Sequence, residues 1–193
     1  MSELPGYARF CQQHAVKPFL NVGVGANIVG WEGPGIFHLD YDRWRYHNCV
    51  QADAHHLPFR DDAFASVVAG DVLEHFVDPL QCLHEIRRVA PMTVLTTFQE
   101  WRLDGPGRDI AKGQQLFAPC EASFEPYRLS GRFLAHKAEN GLSHIPHIWQ
   151  WSAEILTRLF ARARLKIEKY ESDCPGVHDG HPMLNHCFIL RRT

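Results

Sequence analysis

No Cys-x-x-Cys pair occurs in this sequence, although it holds six cysteines. Spread as Cys11, Cys49, Cys82, Cys120, Cys174 and Cys187, they exclude a small disulfide scaffold and a zinc ribbon and predict reduced thiols. No apolar run approaches the ~20 residues that span a bilayer. None near the N-terminus resembles a signal peptide, because Pro5, Arg9, Gln12, Gln13 and Lys17 interrupt it. These absences predict a soluble, cytoplasmic protein with no membrane partner. Nor is there an excess of positive or negative charge, with 20 Lys and Arg against 22 Asp and Glu. A formal net charge of −2 gives no broad electrostatic reason to bind a polyphosphate, so nucleic acid is not an expected partner. The local basic run Arg158, Arg162, Arg164 and Lys166 reads as the solvated side of an amphipathic helix. Low-complexity runs, internal repeats and domain boundaries are missing. What remains is a 193-residue chain, 45% hydrophobic and 11% aromatic. That suffices for one domain with a full core and is short for two, so residues 1–193 are read as one domain.

Three strand-like runs each end in a short polar or glycine-rich turn. Phe19–Val22 leads into Gly23-Val24-Gly25, Ile36–Leu39 into Asp40, and Ser66–Ala69 into Gly70-Asp71. In a parallel α/β sheet such turns face a common crevice, where ligands bind. Tyr7 to Val16 reads as a short helix ahead of the first strand. Between Gly25 and Ile36 lie only Ala26 to Gly35, broken by Gly30, Gly33, Pro34 and Gly35. That leaves room for a loop or a single turn, but not for a full crossover helix. Cys49–Gln51 is a third strand, His56 to Ala63 a turn, Phe64–Ala69 the fourth strand, and Asp71–Phe76 one helical turn. Asp78 then caps a helix with Pro79 in its first position. Leu80, Leu83, Ile86 and Ala90 form its apolar face, and Pro91 stops it. Met92–Thr97 is the fifth strand.

From Phe98 to Gln150 the periodic pattern dissolves. Trp101, Phe117, Phe124, Tyr127, Phe133 and Trp149 bring too much aromatic area for a disordered linker. The segment 98–150 reads as a cover over the crevice, with a homodimer contact as its alternative use. Ser152 caps a helix with the apolar face Ile155, Leu156, Leu159, Phe160 and Ala163. Leu165–Tyr170 is the sixth strand and Cys187–Leu190 the last.

Several residues in the turns can carry chemistry. Gly23 and Gly25 let the backbone bend sharply and approach a ligand without a Cβ in the way. Asp40 can accept both hydroxyls of a ribose, or be an ordinary strand-end acid; Asp42 takes its place if the strand runs longer. In Ala69–Phe76 the polar members are Asp71, Glu74 and His75. Histidine is abundant, and His144 with His147 and His178 with His181 share the spacing His-x-x-His, with Asp179 and His186 near the second pair. Two ligands at that spacing on a loop do not make a metal site, and His-Glu-x-x-His is absent, so no metal is expected. Ser143–Trp151 lines an acceptor pocket or lid, or else supplies core aromatics ahead of a helix.

In order and spacing these phrases resemble the class I S-adenosylmethionine (SAM)-dependent methyltransferases. They look most like the small-molecule branch, whose first motif begins Leu-Asn-x-Gly and which lacks a full first helix. The resemblance covers roughly Phe19 to Thr97, with weaker support from Trp149 onward. It implies a Rossmann-like, seven-stranded, mostly parallel sheet with the last strand antiparallel. It also implies SAM as cofactor and a small-molecule oxygen, nitrogen or carbon as methyl acceptor. By the resemblance, Leu20–Asn27 is the SAM loop, where Asn21, Gly23 and Gly25 hold the cofactor. Asn21 stands where many relatives have an acid near the methionine end. Asp40 meets the ribose. In Ala52–Phe59, Asp53 meets the adenine amino group, the Ala54 backbone N–H meets the ring, and Leu57 packs nearby. Asp71 lies at the methyl end, counted with both cofactor and acceptor. Methyl transfer is an in-line displacement, so most acceleration comes from holding nucleophile and methyl carbon together. If the acceptor arrives protonated, His75 is the natural general base, although relatives commonly use a histidine there structurally. The departures are Asn21, the missing first helix, and Val89–Thr93, where relatives often have Pro-Gly-Gly. Two other classes compete: a non-catalytic SAM- or nucleotide-binding module, and a metal-dependent hydrolase using His178 and His181. A nucleic-acid methyltransferase would need a basic face and a Pro-Pro-Tyr type tetrad, and both are lacking.

Overall fold

Phe19–Val22, a run with no charge and only one polar side chain, forms β1, an interior strand of the sheet. The computed structural model describes residues 6–24, 31–41, 44–76, 78–100, 151, 153–178 and 181–193. Helix α1 (Gly6–His14) precedes β1; β2 (Ile36–Asp40), β3 (Cys49–Gln51) and β4 (Ser66–Gly70) follow. A single 3-10 turn (Leu73–His75) leads to α2 (Pro79–Val89) and β5 (Met92–Glu100). The chain closes with α3 (Ala153–Arg162), β6 (Leu165–His178) and β7 (His181–Arg192). The seven strands lie in the order β3-β2-β1-β4-β5-β7-β6. β1 to β5 run parallel, β7 pairs antiparallel with β5, and β6 pairs antiparallel with β7. The expected sheet, with its last strand antiparallel, is the one observed.

Both faces of the sheet are covered, so its interior strands read as mostly apolar runs rather than strictly alternating ones. On one face Leu20, Val22, Leu39, Val67, Ala69, Leu95 and Phe188 pack with Leu83 and Ile86 of α2 and Leu156, Leu159 and Phe160 of α3. On the other, Phe10 and Cys11 of α1 meet Phe19, Ile36, Val68, Val94 and Ile189. Among the described residues between β1 and β2 there is no helix. Instead Trp31 packs edge-on against Phe19 at 5.5 Å, and its carbonyl takes the His38 Nε2 contact at 3.0 Å. Residues 25–30 of that connection, and the whole segment 101–150, lie outside the described residues, as does Ser152.

Helix α2 starts as its sequence dictates. The Asp78 side chain accepts from the Gln81 backbone N–H at 3.0 Å, and Pro79 occupies the first turn, where a missing N–H costs nothing. Its buried face is turned slightly from the expected one: Pro79, Cys82 and Val89 join Leu83 and Ile86, while Leu80 is only half-buried. The C-terminal strands run longer than their apolar cores, because β6 and β7 continue as a ladder past Tyr170 with a register shift between Asp173 and Gly176. A bulge of that kind lets a strand carry Pro175 and Gly176 without ending. Among the described residues no helix is long and apolar enough to cross a membrane.

The tightest point is Gly23, just beyond β1. Its φ is +72°, and a Cβ there would fall 2.2 Å from Val72 Cγ2. Only glycine meets both conditions without strain. Gly23→Ala is expected to cost about 3 kcal/mol in urea denaturation. The cost should shrink in a Val72→Ala background, where the closest contact is removed; an undiminished cost would show that Val72 is not the constraint.

Candidate functional site

The register of β1 assembles the site. Val22 stands opposite Leu39 on one side and Ala69 on the other, so Gly23, Asp40 and Gly70 leave the sheet side by side. Asp40 in turn pairs with Gln51, and the Ala52 N–H donates to the Asp40 carbonyl at 3.0 Å, which places Asp53 next along the same edge. Gly23, Asp40, Asp53 and Asp71 thus share the carboxyl edge, where open α/β sheets bind ligands. Asn21 lies one step inside, half-buried and opposite His38 and Val68. By strand alternation it faces the α1 side, as Phe19 does. Gly25 is outside the described residues. Two carboxylates flanking a glycine turn are acceptors for hydroxyl and amino donors, so this set of acceptors fits an adenosine. No group of three metal-ligating side chains occurs among the described residues.

The loop after β3 is tied to α2 at both ends. At its start, the Asp53 carboxylate accepts from the His55 backbone N–H at 2.9 Å and from the His55 ring at 2.6 Å. Partial burial pushes the Asp53 carboxyl up, but these His55 hydrogen bonds and the electrostatics of the His55 and His56 rings outweigh it. The group is held below its ordinary value. At the far end, Glu85 Oε2 accepts from the Leu57 N–H at 2.8 Å, while Arg88 donates to the carbonyls of Leu57 and Phe59 at 3.0 and 2.7 Å. Arg88 also pairs with Glu85 at 2.7 Å and with Asp61 at 2.9 Å. Ala54 and Leu57 are buried beneath the loop. The Glu85–Arg88 clamp was legible only as an acid and a base at i and i+3, a spacing that most helices use for solvent-side pairs.

Past β4 the polar residues divide between the two faces. Asp71, at φ +48°, donates its N–H to the Thr96 carbonyl at 3.0 Å and receives the Thr96 hydroxyl on Oδ1 at 2.9 Å. Thr96 also reaches the Cys11 thiol, so Asp71 is turned toward α1. Burial of Asp71, only partly offset by the Thr96 hydroxyl, pushes its carboxyl up to about 6. Burial, with the charge of Asp71 and the neighbouring Cys187, pushes the Cys11 thiol up, which keeps it protonated and unreactive. Glu74, fully buried, takes the Thr97 hydroxyl at 2.9 Å on the opposite face. His75, half-buried, donates its backbone N–H to Val72 at 3.0 Å in the same turn. His186, opposite Thr97 in the ladder, meets the Tyr170 hydroxyl at 2.9 Å. Sequence reasoning named Glu74 without its partner and had no signal for the Tyr170–His186 pair, because the two join only through strand register.

Folding raises the Asp71 pKa, so between the ordinary carboxylate range and about pH 6 the folded chain binds a proton that the unfolded chain releases. Stability is therefore highest with the carboxyl protonated and falls as pH rises through that window. Asp71→Asn keeps an acceptor for Thr96 and tolerates the left-handed backbone. It should raise stability by about 1–3 kcal/mol at pH 8 and leave it nearly unchanged at pH 4. Thermal unfolding at both pH values checks this, and an equal effect at the two would sink it.

A family model described as a methyltransferase domain matches residues 36–91, from β2 through α2. A search of curated proteins by sequence finds no match. Among solved structures, a SAM-dependent methyltransferase from Methanosarcina mazei is similar, with a TM-score of 0.60 at 14% identity over 99% of each chain. An S-adenosylmethionine-dependent methyltransferase from Mesorhizobium loti also gives 0.60 at 14% identity, over 96% of this chain and 95% of that one. The [4+2]-cyclase SpnF gives 0.59 at 14% identity, over 96% and 79%. Residues 36–91 thus match a methyltransferase domain, and over nearly its whole length the chain has the fold of S-adenosylmethionine-dependent methyltransferases.

Proposed function

We propose that this protein transfers a methyl group from SAM to a small-molecule oxygen, nitrogen or carbon nucleophile. The observation that carries the reading is the common edge on which the β1, β2 and β4 ends and the loop after β3 bring Gly23, Asp40, Asp53 and Asp71 together. Bound SAM supplies a methyl group on a sulfonium, a leaving group that needs no acid catalyst. The chain's task is then to bind, orient and exclude water. Asp40 accepts the ribose hydroxyls. Asp53 accepts the adenine amino group, with the Ala54 backbone and the Leu57 side chain beneath the ring. Gly23 bends the backbone toward the methionine end, with Asn21 one step inside, and Gly25 is assigned to the same loop by the sequence pattern. Asp71 lies at the methyl end. Its position near a pKa of about 6 lets it exchange a proton near neutrality, and His75 takes the acceptor's proton when the acceptor arrives protonated. The aromatic-rich stretch of the sequence beyond β5, through residue 150, is assigned as the cover of the crevice on its composition. A net charge of −2 favours a small acceptor over a nucleic acid.

A second reading, a SAM-binding protein without methyl transfer, is supported by Asn21 in place of an acid. It is supported also by the likeness to a protein named as a cyclase, since one fold hosts several chemistries. Calorimetric titration with SAM and S-adenosylhomocysteine is the test. Binding of both is expected, with Asp40→Asn and Asp53→Ala each weakening it by about tenfold (~1.4 kcal/mol). Absence of binding to either nucleoside would overturn both readings; binding without turnover on any acceptor would favour the second.

A further inference from the structure

In the loop after β3 every polar atom of His55 is committed. Its backbone N–H and its Nδ1 converge on Asp53 Oδ1 at 2.9 and 2.6 Å. Its Nε2 lies 3.0 Å from the backbone nitrogen of Asp78, and its carbonyl accepts from Gln81 Nε2 at 3.1 Å. A backbone N–H can only donate, so Nε2 is the lone-pair side of the ring. A neutral imidazole carries one N–H, and here it sits on Nδ1 and points at Asp53. The Phe76 ring, edge-on at 5.9 Å, walls the imidazole from the other side.

The Asp53 side chain is half exposed, and left alone it would sample several rotamers. The His55 fork removes that freedom by occupying one carboxylate oxygen twice. Oδ2 keeps no partner among the described residues. The fork is itself anchored at the first turn of α2, where the Asp78 side chain is already engaged by Gln81. We propose that His55 is a positioning residue for the base end of the cofactor, holding Asp53 so that Oδ2 faces an exocyclic amino group. His55 thereby sets the preference for a 6-aminopurine over a 6-oxopurine. The proposal rests on the SAM reading above.

The test titrates S-adenosylhomocysteine and its 6-oxo analogue, S-inosylhomocysteine, into the unaltered protein, His55→Ala and His55→Asn. The unaltered protein should favour the amino compound by about tenfold or more, because a carboxylate and a carbonyl oxygen repel. His55→Ala should bind the amino compound about tenfold more weakly (~1.4 kcal/mol) and the oxo compound nearly as before, so the ratio collapses. His55→Asn carries an amide N–H where Nδ1 stands and should recover most of the ratio. Should the alanine variant fail to fold, the asparagine variant and the ring nitrogen spectrum still decide. That 15N spectrum of the unaltered protein is expected to show a proton on Nδ1. An unchanged ratio in His55→Ala, no recovery in His55→Asn, or an Nε2–H ring would each overturn the proposal. An unaltered protein that binds neither compound would instead overturn the cofactor reading, a distinct result from variants that bind alike.

Discussion

β1 is hydrogen-bonded on both sides, and its register with β2 and β4 decides what stands at the edge. Four paired residues on each side leave little slack: Phe19 faces Ile36 and Ser66, Val22 faces Leu39 and Ala69. A slip of one residue would invert every side chain and put Asn21 into the apolar layer under α2 and α3. The alternative registers are therefore expensive. The contact between Gly23 and Val72 adds a second restraint, since two turns meet there with no room for a methyl group. Position in this crevice is a property of strand pairing more than of any loop.

Helix α2 does a second job beyond closing the core. Its buried side seals the sheet through Cys82, Leu83, Ile86 and Val89, while Asp78, Gln81, Glu85 and Arg88 face the loop after β3. The loop's carbonyls and N–H groups would otherwise be satisfied by water. Here a rigid element holds them, so the loop enters a binding event already ordered and loses less entropy in it. Arg88 fits this role because a planar guanidinium can donate in several directions at once, toward the Leu57 and Phe59 carbonyls and two carboxylates. Lysine could not reproduce that geometry.

The strands β1 and β3 were readable to the residue, because a short apolar run bounded by glycine or polar residues has few ways to pack. The capped start of α2 and the buried stripe of α3 were equally plain, since both follow from local chemistry. β5, expected to end at Thr97, runs on to Glu100, and β6 and β7 were also read too short. Their outer halves are polar and interrupted by Pro175 and Gly176, and only the partner strand keeps them extended. The site residues were legible as a row of turns, but their partners were not. Thr96 and Thr97 look interchangeable in sequence, yet pleating sends one to Asp71 under α1 and the other to Glu74 beneath α2 and α3. His55 had no distinguishing mark among the histidines, since what it does depends on a helix that begins more than twenty residues later.

The antiparallel C-terminal strand has a consequence for assembly. β7 is the last strand of this sheet along the chain, but it is inserted between β5 and β6 rather than added outside them. Until it is synthesised, β5 has an open edge and β6 has no neighbour to pair with. An emerging chain can dock α1, β1 and β4 early, yet the half of the sheet that carries Thr96 and Thr97 has to wait. During that wait the exposed β5 edge is the place where a nascent chain would pair wrongly with another copy. The sequence Cys187–Leu190 ends this exposure by closing both ladders at once.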